Sequence, residues 1–101
     1  MTDMTDLRKE TSRFLTVESI QIKYIHEWET WAVCYLDASG DYAWDAEKFT
    51  TIDPDFFYLR RHAIAHAKSA QESIVLKKQS ALRTHMVDVP ITIERKDAFI
   101  D

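Results

Sequence analysis

The sequence predicts an α+β domain on three observations. Apolar residues alternate with polar ones over 19–28, and an apolar run follows at 31–36. A helix-capping signal stands at Asp53, Pro54 and Asp55. Apolar residues then recur at three- and four-residue steps. Together these give an antiparallel meander of about three strands packed against one main helix (about 54–72), with a short N-terminal helix and one or two C-terminal strands.

In chain order, Leu7, Phe14 and Leu15 space the segment 5–15 as a short helix with a weak apolar edge, and residues 1–6 read as frayed. From Ser19 the period becomes two, with Ile20, Ile22, Tyr24, His26 and Trp28 on one side. Residues 31–36 make a second strand. Tyr42, Ala43 and Trp44 begin a third after the turn pair Ser39 and Gly40. With Glu29-Thr30 and Ser39-Gly40 as two-residue loops, Trp28 faces Trp31, His26 faces Val33, Tyr24 faces Tyr35, and Tyr35 faces Trp44. That aromatic ladder is the expected core face. The other face carries Lys23, Ile25, Glu27, Ala32, Cys34, Leu36, Asp45 and Glu47 and reads as the more solvated.

The helix is expected to start at 54 because Asp53 can cap, Pro54 fits the first helical position, and Asp55 complements the helix dipole. Phe56, Leu59, Ala63, Ala67 and Ala70 form its buried stripe, small enough to lie against large sheet aromatics. Residues 73–87 fit helix or strand, and strands are the preferred reading. Residues 89–94 alternate, and Pro90 confines that strand to an edge or to a start at the proline.

The 101 residues, 46% hydrophobic and 30% charged, read as a single compact domain spanning 1–101 with one core. Cys34 is the sole cysteine, so no internal disulfide is possible, and a reducing, cytoplasmic compartment is expected. No stretch approaches the roughly 18 apolar residues of a membrane helix. Charge is polarised. Residues 18–55 hold nine acids against Lys23 and Lys48, a net of −7, whereas 56–96 hold eight bases against three acids, a net of +5. Such a field steers partners of either sign toward different faces.

His62 and His66, four apart on the expected helix, have metal-ligand spacing but lack a third ligand and the glutamate of a zinc-protease motif, so no metal site is assigned. Cys34 falls in mid-strand, away from the helix N-terminus that lowers a thiol pKa, and reads as inert. One glycine cannot build a phosphate cradle, and no cofactor is expected. The paired carboxylates Asp45 and Glu47 have no apolar pocket to split their pKa values. No catalytic residue is assigned, and the chain reads as a binding protein rather than an enzyme. The order of a meander followed by a helix is similar to that of small antitoxin-like and phage-encoded α+β modules, a likeness of topology that names no function.

The expected role is a small protein-binding module of inhibitor or immunity type. It would block a basic, nucleic-acid-processing protein through an acidic, aromatic surface of Glu27, Trp28, Glu29, Trp31, Asp45 and Glu47. The alternative is a nucleic-acid-binding or regulatory module that uses Arg60, Arg61, Lys77, Lys78 and Arg83 on the basic helical half.

Overall fold

A computed structural model describes residues 14–94 of the chain. The expected frayed start at 1–6 lies outside the described residues, as does the expected N-terminal helix over 5–15 except for its last two positions. The fold is α+β: one main helix lies against a mixed four-stranded sheet, and a two-stranded sheet stands beside it. The strands are β1 (Ser19–Ile25), β2 (Thr30–Leu36), β3 (Trp44–Asp45), β4 (Thr50–Thr51), β5 (Asp55–Phe57) and β6 (Ile91–Ile93), and the helix is α1 (Arg60–Leu82). The larger sheet runs β5-β2-β1-β6, and β3 pairs with β4.

β1 and β2 form the expected antiparallel hairpin with a different register. Tyr24 faces Trp31, Ile22 faces Val33, and Ile20 faces Tyr35. The expected two-residue loop is instead a 3-10 turn at His26–Trp28, closed by Glu29 in the left-handed region (φ 47°). Four strand positions are thereby consumed. Because four is even, every side chain keeps its face, and the core face of Ile20, Ile22, Trp31, Val33 and Tyr35 is as expected. Trp28 leaves the ladder and stands exposed.

The third strand differs more. Tyr42 makes only an isolated bridge to Leu36, and Trp44 belongs to the small β3–β4 sheet, 47% exposed rather than buried under the helix. Ala43 takes the buried place there, its N–H donating to the Tyr35 carbonyl.

The capping signal at 53–55 does not start the helix. Asp55, Phe56 and Phe57 pair with Val33, Ala32 and Trp31 as an edge strand, so ladder hydrogen bonds and burial of Phe57 beside the core prevail over local capping preference. Pro54, which has no N–H to give, stands just before that strand. The helix begins at Arg60 with no side-chain cap. It also runs ten residues beyond 72, so the strands preferred for 73–87 are replaced by helix as far as Leu82. Its buried stripe is Ala63, Ala67, Ile74 and Lys78, with Ala70 partly buried between them. A lysine at a core position hides the last turn of that stripe from the hydropathy pattern. The Lys78 ammonium donates to the Val17 carbonyl (2.8 Å) and pairs with Glu18 (3.2 Å), which offsets its burial. The helix closes at Arg83, in the left-handed region, with the Thr84 N–H bonded to the Gln79 carbonyl.

β6 is an edge strand, as Pro90 requires, and it runs parallel to β1. The Ile20 N–H donates to the Pro90 carbonyl, and the Glu94 N–H to the Ile22 carbonyl. Among the described residues no helix is long and apolar enough to cross a membrane.

Candidate functional site

Strand alternation sends Phe57 toward α1 and Phe56 to the other face, the one α1 does not cover. There Phe56 meets Trp28 edge to face, with ring centroids 5.6 Å apart. Both rings remain exposed, Trp28 at 64%, and Tyr58 is more exposed still. Glu27 and Glu29 flank Trp28 on the hairpin turn and are exposed. Aromatic rings with carboxylates beside them thus gather at the hairpin end of the sheet.

The expected contact set divides. Glu27, Trp28 and Glu29 are together and accessible. Trp31 is 2% exposed, a core residue packed against Tyr24 at 5.2 Å, and offers a partner nothing. Asp45 is 1% exposed; its Oδ1 accepts the N–H groups of Glu47 and Lys48, so it shapes the β3–β4 turn. Glu47 is exposed but sits beyond the Leu36 end of β2, whereas Glu27 and Glu29 sit at its Thr30 end. Six strand steps, about 20 Å, separate those ends, so the two acidic pairs do not form one surface. Phe56 and Tyr58 were not expected at the surface site, because the helix expected from 54 assigned Phe56 to a buried stripe.

The face expected to be solvated is partly closed. Ala32 and Cys34 are fully buried there, beneath the longer chains of Lys23, Tyr42 and Phe56 from neighbouring backbone. Burial raises the Cys34 thiol pKa, against the smaller lowering effects of Lys23 and a hydrogen bond with Tyr42.

On the opposite face a second cluster forms that no local spacing announces. Asp55 Oδ2 accepts from the Tyr35 hydroxyl at 2.6 Å and from His66 Nε2 at 2.9 Å, and the Tyr35 oxygen lies 3.1 Å from the same nitrogen. A carboxylate can only accept, so Nε2 carries the proton and shares it between Asp55 and the phenolic oxygen. β2, β5 and α1 are knotted at this point, with Phe57 tilted against the His66 ring at 5.0 Å. The cluster lines a half-open cleft that also includes Asp53, Ser73 and Lys77.

His62 is exposed and apart from this node. Among the described residues no group of three His, Cys, Asp or Glu side chains is placed to hold a metal. The basic residues disperse: Arg60 and Arg61 open α1, Arg83 closes it about 34 Å away, and Lys78 is buried.

Compared with known proteins, the chain matches no family model, no curated protein and no solved structure.

Proposed function

We propose that the protein is a binding module rather than an enzyme, and that it engages a basic protein partner through the hairpin end of the sheet. The observation that carries this reading is the exposed Trp28–Phe56 pair, 5.6 Å apart on the sheet face that α1 leaves open and flanked by Glu27 and Glu29. Large rigid aromatics bury much area on association at small entropic cost, and neighbouring carboxylates steer a basic surface toward them. An inhibitor or immunity-type role in the cytoplasm, set against a nucleic-acid-processing protein, suits a small acidic surface with aromatic anchors. Trp31, Asp45 and Glu47 drop out of the contact set and Phe56 and Tyr58 enter it. Dispersal of Arg60, Arg61 and Arg83 along α1, with Lys78 buried, weighs against direct nucleic-acid binding.

A photo-crosslinking phenylalanine analogue at position 28 tests the reading by capturing the partner in host lysate. With that partner isolated, Glu27→Lys with Glu29→Lys is expected to slow association about tenfold at low salt, and the defect should shrink as salt screens it. Association at the wild-type rate, together with loss of binding in Arg60→Glu with Arg61→Glu, would move the contact to the helix.

A further inference from the structure

The cleft beside the Tyr35–Asp55–His66 node, on the face away from Trp28 and Phe56, has a volume of about 280 Å³. Its wall is one stripe of α1, on which His66, Ala70, Ser73 and Lys77 follow at steps of four, three and four. Lys77 lies eleven residues after His66 on the helix, about 16 Å of rise. Lys77 folds over the Phe14 ring, its ammonium 5.1 Å from the centroid. Ile52 and Ile74 give the cleft an apolar floor.

Charge is arranged by position. Asp55 stands at His66, Asp53 lines the cleft two residues before it in the chain, and Lys77 stands about three turns along the helix. The Tyr35 hydroxyl and His66 Nε2 are both engaged with Asp55 Oδ2, which leaves Asp55 Oδ1 as an acceptor facing no other described donor. Neither Asp53 nor Lys77 is in an ion pair among the described residues. A purely anionic ligand meets two carboxylates, and a purely cationic one meets Lys77. The volume lies just below the usual range of ligand pockets, which suits a ligand of few atoms.

We propose that this cleft binds a small zwitterion of dipeptide size. Its ammonium group meets Asp55 and Asp53, its carboxylate meets Lys77 and Ser73, and its apolar body lies over Ile52 and Ile74. Two to three residues of extended chain, at about 3.3 Å each, cover the gap left once the acidic and lysine side chains reach inward. Both charged ends are needed because each charge in the cleft is matched only by a ligand that carries the opposite charge at the same end.

The test is a titration of the full ¹⁵N-labelled chain, followed by amide chemical shifts, with three probes: alanyl-leucine, N-acetyl-alanyl-leucine and alanyl-leucine amide. Alanyl-leucine is expected to saturate with a Kd of about 1 mM, a plausible affinity for so small a ligand. Shifts should concentrate at the amides of Asp55, Ser73 and Lys77. Each blocked probe should bind about tenfold more weakly or not at all. Asp53→Asn, at an exposed carboxylate, and Lys77→Met, which keeps an apolar stem of similar length and removes the ammonium, should each weaken alanyl-leucine about tenfold with melting changed by only a few degrees. Shifts that never saturate, or an N-acetylated or amidated probe that binds as tightly as the free dipeptide, would overturn the proposal. Binding that survives both substitutions would do the same.

Discussion

The two faces of the four-stranded sheet are sealed by opposite means. Toward α1 the sheet supplies the bulk, with Trp31, Ile20, Ile22, Val33 and Tyr35 filling the space, and the helix answers with Ala63, Ala67 and Ala70. On the other face β2 presents Thr30, Ala32, Cys34 and Leu36, and the small Ala32 and Cys34 disappear beneath Lys23, Tyr42 and Phe56. The first arrangement needs a partner element; the second is closed by the sheet's own long side chains. The self-sealed face can therefore keep aromatic rings at its rim, where Trp28, Phe56 and Tyr58 are accessible, without leaving a hole in the core.

The largest effect should come from emptying the helix-covered face. Trp31→Ala is expected to lower the unfolding free energy by about 3–5 kcal/mol, whereas Trp28→Ala and Trp44→Ala, at exposed rings, should each change it by about 1 kcal/mol or less. Urea denaturation of the three variants checks this, and comparable losses at Trp31 and Trp28 would erase the distinction between the faces. Next in size, Lys78→Ala leaves the Val17 carbonyl and Glu18 without their ammonium partner and should cost about 2–4 kcal/mol. Overpacking comes third: Ala67→Leu thrusts three extra carbons against sheet aromatics and should cost about 1–3 kcal/mol, read as a fall in denaturation midpoint.

The smallest predicted effect concerns Cys34. Its thiol pKa is raised by burial, so the native chain should react with iodoacetamide at pH 8 far more slowly than the urea-unfolded chain, about a hundredfold by mass spectrometry. A thiol held neutral in the fold contributes stability below the ordinary thiol pKa of about 8.5, and that contribution is lost as pH rises through the higher folded value. Equal labelling rates in the two states would mean that this face is open.

Only part of this two-faced arrangement was legible in the sequence. Period-two alternation put Ile20, Ile22, Trp31, Val33 and Tyr35 on one face, and an even shift in register left that assignment intact while replacing every cross-strand partner. Small residues at 63, 67 and 70 marked the helix stripe. Pro90 placed its strand at an edge. Three features were hidden for physical reasons. Asp53, Pro54 and Asp55 carry helix-start chemistry, but pairing with β2 is a long-range energy that no local signal reports. Lys78 breaks the apolar period because its burial is supported by Val17 and Glu18, sixty residues away in the chain. Trp44 was displaced when the third strand gave way to an isolated bridge at Tyr42. The proposed contact surface was half legible: the hairpin turn with Glu27, Trp28 and Glu29 is local, but Phe56 reaches it only through the β2–β5 ladder. The Tyr35–Asp55–His66 node joins three elements and leaves no trace in spacing.

The proposed contact at the rim of the self-sealed face is tested most directly by the affinity of the crosslink-identified partner for Trp28→Ala with Phe56→Ala, alongside the melting temperature of that variant. Affinity should fall by about a hundredfold or more, as for two anchor residues, with melting changed by only a few degrees. Unchanged affinity in this variant, with loss of binding in Arg60→Glu with Arg61→Glu, would contradict the account.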